Sequence, residues 1–154
     1  MKIERVISTD IALIKKIAKK AILESVDASC ELKKEIISDT IKHIDKAILN
    51  SESVFLKYVG EDILGFILIQ DYWNLSDLFV LPEAHGQGIG RALFKAAQKV
   101  CKPKQDKGYI RVNSSLNAEG FYRNMGFETF KPKKEMPDFV VPLIYSFTAV
   151  PQFS

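Results

Sequence analysis

Cysteine is scarce in this chain of 154 residues: Cys30 and Cys101 stand alone, with no Cys-x-x-Cys pair and no Cys/His spacing suited to a metal. The pattern argues against a zinc site and calls for no metal. It reads best as two free thiols in a reducing compartment, with a disulfide left open. Long apolar runs are missing as well. No stretch approaches the roughly 20 residues that a membrane-spanning helix needs. The opening Met1-Lys2-Ile3-Glu4-Arg5 is charged and alternating, unlike the apolar heart of a secretory leader. We therefore expect a soluble, cytoplasmic protein with no membrane partner. Charge of one sign is not in excess either: 22 Lys and Arg against 19 Asp and Glu leave a formal +3. The lysines are scattered, and no basic cluster has aromatics interleaved. Nucleic acid is thus not an expected partner, whereas a small anionic ligand is compatible. Repeats, low-complexity tracts and linkers are absent, which leaves one domain over residues 1–154.

What is present is apolar material, 47% against 27% charged, enough for a core without a metal or disulfide. Lys2 to Ser8 alternates as a strand. Ser8, Thr9 and Asp10 are N-cap candidates for a helix whose stripe is Ile14, Ile17, Ala18, Ala21 and Ile22. After a polar connection over 24–29, a second helix is expected from Cys30 to Leu49, its stripe running from Leu32 through Ile36, Ile37, Ile41 and Ile44 to Ile48. The period then changes. Val54 to Val59 and Ile63 to Gln70 flank the turn Gly60-Glu61-Asp62 as a hairpin, and Leu75 to Leu81 is a further strand that Pro82 ends. A helix follows the glycine-rich segment 85–90, with Ile89, Leu93, Ala96, Ala97 and Val100 on one face. Tyr109 to Val112 is a short strand, and Asn117 to Met125 a short helix with Gly126 as its C′ residue. Residues 127–131 and 139–147 close the chain as strands. This order describes a mixed α/β layered architecture.

The segment from Leu78 to Leu93 reads strand, loop, helix, with His85-Gly86-Gln87-Gly88-Ile89-Gly90 in the loop. Glycines let the backbone turn tightly and approach a ligand without a Cβ in the way. The loop amides beside the positive end of a helix dipole make an anion site suited to a pyrophosphate, with Arg91 at its rim. Alone, the segment is equally a turn that caps a helix. It lacks the Gly-Lys-Ser/Thr ending of a P-loop. It also lacks the G-x-G-x-x-G of a dinucleotide fingerprint, since Arg91 stands where the third glycine belongs.

Together with a second block, Asn117-Ala118-Glu119-Gly120-Phe121-Tyr122-Arg123-Asn124-Met125-Gly126-Phe127, this loop resembles the GNAT superfamily of N-acetyltransferases. That family has Arg/Gln-x-x-Gly-x-Gly/Ala opening a helix, followed by Asn-Ala-x-x-Phe-Tyr-x-x-x-Gly-Phe. The match is close over about residues 53–130, and the first 50 residues match in layout. The resemblance implies the GNAT-like fold, a central mixed, mostly antiparallel sheet of about seven strands flanked by about four helices. One departure is His85, where the family has Arg or Gln. It can weaken cofactor binding or make it pH-sensitive.

The resemblance also implies acetyl-CoA as cosubstrate, with an amine, small or protein-borne, as acceptor. The amides from Gln87 to Arg91 would hold the pyrophosphate. The strand Leu78-Phe79-Val80 would splay from Tyr109 to Val112 and pair with pantetheine. An amide of Phe79 or Val80 would polarise the thioester carbonyl. Tyr122 would protonate the departing thiolate: a thiol titrates near 8.5 and a phenol near 10, so modest tuning suffices. Asn117 would bond CoA or cap its helix. A lysine-type amine, with a pKa of about 10.4, must first lose a proton. Asp77 is the first candidate base, since strand alternation sets it beside Phe79, and Glu24, Asp27 and Glu31 are alternatives. Tyr72, Trp73 and the aromatics of the last strands are candidates for the acceptor pocket, and Lys131, Lys133 and Lys134 for the CoA 3′-phosphate. Two other functions stay open: a non-catalytic acyl-CoA sensor on the same fold, and a plain phosphate-ligand module. Edge strands near the C-terminus allow a homodimer.

Overall fold

The stripe expected of the first helix is buried residue for residue. In α1 (Ile11–Ser25), Ile14, Ile17, Ala18, Ala21 and Ile22 face inward. The computed structural model describes residues 2–147. Among them a seven-stranded sheet runs in the order β1-β2-β3-β4-β5-β7-β6. Its strands are β1 (Lys2–Arg5), β2 (Val54–Val59), β3 (Ile63–Gln70), β4 (Asn74–Val80), β5 (Tyr109–Ser115), β6 (Glu128–Thr129) and β7 (Val140–Ser146). Every pairing is antiparallel except β4 with β5. With α2 (Cys30–Ala47), α3 (Ile89–Cys101) and α4 (Glu119–Asn124), this is the mixed α/β sheet with four helices that the resemblance implies.

Each face of the sheet carries its own core, because successive strand residues point to opposite sides. Ile67, Ile69 and Leu75 pack with Leu93, Phe94 and Ala97 of α3. Phe66, Leu68 and Phe55 pack with Ile14 and Ile17 of α1 and Ile44 of α2. Two patterns differ from expectation. The buried face of α3 includes Phe94 and Cys101, while Val100 is exposed. The bulky Phe94 ring packs on Phe127 and Tyr145, and that turns the helix. The first strand ends at Arg5, since Ser8–Asp10 forms a 3-10 turn instead. There the Asp10 carboxylate accepts from the Ile7 amide and Lys57 rather than capping α1.

Two features of the sheet shape the site. First, β4 and β5 pair only at Asn74 with Arg111 and Leu75 with Val112, and beyond that they part. Second, β4 carries one extra residue: Leu68 sits opposite Asp77 and Ile69 opposite Leu75, which leaves Ser76 as a bulge. The bulge resets the alternation. Leu75, Leu78 and Val80 then pack on the α3 side, while Phe79 packs on the α1/α2 side. Both cysteines are free; burial pushes the Cys101 thiol up to about 12, so it stays protonated.

Candidate active site

The parting of β4 and β5 opens a cavity of about 760 Å³. Its walls come from β4 (Ser76 to Val80), the turn before α3, the end of β5, α4 and one face of α2. The α2 face explains a pattern that core packing alone does not. Leu32 and Ile36 belong to the apolar stripe yet are only half-buried, because they line the cavity instead of meeting another element. One and two turns further on, the same face carries the buried Thr40 and then His43.

His43 and Asp77 meet across the gap between α2 and β4. The His43 Nδ1 lies 3.0 Å from the Asp77 Oδ2, and the Ser76 hydroxyl donates to the same oxygen at 2.8 Å. The Asp77 side chain is 2% exposed and that of His43 38%. The hydrogen bond to Asp77 raises the His43 pKa above 6.5. Partial burial opposes this, the charges of Asp77 and Asp39 add to it, and Lys46 subtracts. His43 was not singled out in the sequence. Its signal was a polar pair, Thr40 and His43, at helical spacing inside an apolar stripe.

Tyr122 lines the same cavity from α4 and is nearly wholly buried, its ring edge-on to Phe121 and Phe127. Burial pushes its phenol well above the usual value, and the nearby Asp77 charge adds to the shift. Such a hydroxyl stays protonated at neutral pH.

In the glycine loop, Gly86 and Gly88 have φ of 81° and 76°, the left-handed region. A Cβ on either would meet nothing within 4 Å, so the backbone there borders open space. Gly88 is the N-cap of α3, whose first amides have no intrahelical acceptor. Gly90 serves differently: a Cβ there would sit 2.8 Å from the Phe121 ring, so its bareness seats α4 against α3. His85, Gly86, Gly88, Ile89 and Gly90 line the cavity. The His85 Nε2–H donates to the Val80 carbonyl at 2.9 Å and ties the loop to the end of β4. Arg91 is exposed.

Backbone direction separates the two candidates on β4. The Leu81 amide donates to the Leu64 carbonyl of β3. Backbone groups of alternate residues point to opposite edges of an antiparallel strand. Val80 and Leu78 therefore face the gap, and Phe79 faces β3. Asn117 also lines the cavity, but its side chain caps neither the 3-10 turn Leu116–Ala118 nor α4. It donates to the Ser25 carbonyl at 2.6 Å and accepts from the Asp27 amide at 3.5 Å, tying the α1–α2 connection to the start of α4. Of the alternative acids, Asp27 lines the cavity, while Glu24 and Glu31 are exposed outside it. Tyr72 and Trp73 stand at the far end of β4, outside the cavity wall, where Trp73 packs on Tyr109 and Lys107. Lys131, Lys133 and Lys134 are exposed outside it too. Among the described residues no group of His, Cys, Asp and Glu could hold a metal, and no helix is long and apolar enough to cross a membrane.

The seven-stranded sheet, with β4 and β5 parting, is a GNAT-like fold. Residues 17–140 match the family described as Acetyltransferase (GNAT) domain, and the chain belongs to it. A relative in Bacillus subtilis (strain 168), a putative [ribosomal protein bS18]-alanine N-acetyltransferase, is 30% identical over 67 residues. Those residues are 42% of this chain and 44% of that protein, so the chain spans under half of the relative's length. A GCN5-related N-acetyltransferase from Rhodopseudomonas palustris superposes with a TM-score of 0.78 at 18% identity, covering 94% of each chain. The PaiA N-acetyltransferase of Thermoplasma acidophilum, solved with coenzyme A, gives 0.75 at 18% identity, covering 94% of this chain and 98% of that one.

Proposed function

We propose that this chain transfers the acetyl group of acetyl-CoA to a primary amine by direct attack, with Tyr122 as general acid. The observation that carries this reading is the parting of β4 from β5 after Leu75, which brings the Val80 backbone, the glycine turn and Tyr122 to one cavity. The residues fit the cosubstrate. The left-handed glycines leave room for a pyrophosphate against the amides that open α3. The unpaired edge of β4 suits an extended pantetheine arm.

Bound acetyl-CoA supplies a thioester whose carbonyl carbon a neutral amine can attack. The Val80 amide, facing the gap, can polarise that carbonyl. Tyr122 holds its proton at neutral pH and donates it to the departing sulfur. Full transfer from so high a phenol needs a thiolate whose pKa is raised too, and the same buried setting supplies that desolvation. The amine's surplus proton restores the phenol. The acceptor end is apolar at Leu32, Ile36 and Phe139 and acidic at Asp27 and Asp39. That lining fits a cationic amine on an apolar body, whether a small molecule or a protein N-terminus. The Bacillus relative, whose name specifies an alanine N-terminus, makes a peptide amine worth testing first.

Binding is tested by thermal melts with acetyl-CoA, CoA and ADP in parallel. At about 100 times the dissociation constant, a ligand stabilises by roughly 2.7 kcal/mol, a shift of several degrees. We expect both CoA forms to shift the melt and ADP to do little. An equal shift with ADP would favour a general phosphate module, and no shift with either CoA form would remove the cosubstrate.

A further inference from the structure

The Asp77 carboxylate, the first base expected from sequence, is poorly placed to act alone. Its side chain is 2% exposed, and its Oδ2 already accepts from two neighbours, His43 and Ser76. The imidazole on its other side is different. Its Nδ1 is committed to Asp77, which leaves Nε2 as the ring's second proton site, and the ring is part of the cavity wall. A carboxylate that holds one imidazole nitrogen fixes the tautomer and orientation of the ring, and makes the other nitrogen the acceptor.

We propose that His43 is the general base of the transfer, acting through Nε2, and that Asp77 is its positioning residue. The inference rests on the transferase reading. The ammonium N–H bond of the acceptor breaks, its electron pair stays on nitrogen, and the proton passes to Nε2. The freed pair forms the C–N bond while the C–S bond breaks onto sulfur. The second amine proton replaces the one that Tyr122 gives to that sulfur, and His43 returns its proton to solvent. The cavity thus separates two proton tasks, His43 on the acceptor side and Tyr122 on the thiol side, with Asp77 close to both.

The charges that act on the imidazole come from both flanking elements: Asp77 from β4, and Asp39 and Lys46 from α2 itself, with the neutral Ser76 hydroxyl sharing the Asp77 oxygen. A base must be neutral to accept a proton. Rate should therefore rise with pH through the titration of His43, which Asp77 holds above 6.5. Removing the carboxylate charge should move that rise to lower pH.

The chain has two histidines, His43 and His85, so NMR titration can follow each ring without acetyl-CoA or acceptor. The experiment combines this titration with pH–rate profiles for the wild type, His43→Gln and Asp77→Asn. The acceptor is the best substrate from an alanyl peptide, tryptamine and spermidine. Expected is a wild-type kcat/KM that rises with the NMR-measured titration of His43. Asp77→Asn should lower both the ring titration and the kinetic midpoint together. His43→Gln should lose about 10²-fold in kcat/KM near pH 7, keep acetyl-CoA affinity and melting temperature, and recover toward the pH where the amine ionises unaided. A His43→Gln enzyme with wild-type rate and profile would overturn the inference and leave the transferase reading standing. So would an Asp77→Asn protein whose titration and midpoint do not move. A folded wild type that acetylates none of the three amines would remove the transferase reading and this inference with it.

Discussion

Tyr122→Phe is expected to lower turnover by roughly 10³-fold while leaving acetyl-CoA affinity unchanged. The substitution removes one oxygen and keeps the ring, so the edge-on contacts with Phe121 and Phe127, both at 5.2 Å between centroids, persist. Fold and cosubstrate binding should therefore survive. What is lost is the buried hydroxyl, which its setting keeps protonated at neutral pH. Without it the sulfur must leave as an anion beside a buried ring and near the Asp77 charge. The split between kcat and acetyl-CoA dissociation constant, measured by steady-state kinetics and calorimetry, checks this. Equal turnover in wild type and variant would take Tyr122 out of the chemistry. Weakened binding at unchanged turnover would make it a packing residue.

Gly88→Val is expected to weaken acetyl-CoA binding by at least about tenfold, roughly 1.4 kcal/mol. Gly88 sits at φ 76°, where a left-handed conformation costs an ordinary L-residue roughly 1–2 kcal/mol and a β-branched one fits worst. The loop must flatten to relieve this, and the amides at the start of α3 then lose their common direction. Nothing crowds the added side chain from within the protein, so the effect should fall on the ligand more than on the core. Gly90→Val provides the contrast. There the new Cβ meets the Phe121 ring at 2.8 Å, so α4 and Tyr122 should shift and turnover should suffer along with binding. Calorimetry on both variants, with unliganded melts to confirm folding, separates the two. Wild-type affinity in Gly88→Val would show that this turn does not hold the cosubstrate.

Much of the fold was legible because local pattern and burial agree. The α1 stripe and the hairpin of β2 and β3 appear where periodicity puts them. The candidate site was legible only where its residues sit in contiguous blocks, as in the glycine loop and the stretch around Tyr122. His43 escaped because its partner Asp77 lies 34 positions away, and only the packing of α2 over β4 joins them. The apolar start of α2 looks like core in sequence but is cavity wall, since periodicity cannot distinguish a face that meets protein from one that meets a ligand space. The choice of Val80 over Phe79 depends on which strand edge β3 occupies, and α3's true phase depends on the room Phe94 finds against Phe127 and Tyr145. Asn117 reads as a cap locally, yet its bonds go to Ser25 and Asp27, across the tertiary fold.

Acetyl transfer is tested most plainly by an assay with purified protein, acetyl-CoA, and the alanyl peptide, tryptamine and spermidine, each followed by mass spectrometry for acetylated product and by thiol release for free CoA. Acetylated amine and free CoA are expected in equal amounts with at least one acceptor, and both are expected to be lost in Tyr122→Phe. A folded protein whose melt responds to acetyl-CoA but which releases no more CoA with amines than without would contradict acetyl transfer, and would leave a CoA-binding sensor on a GNAT fold.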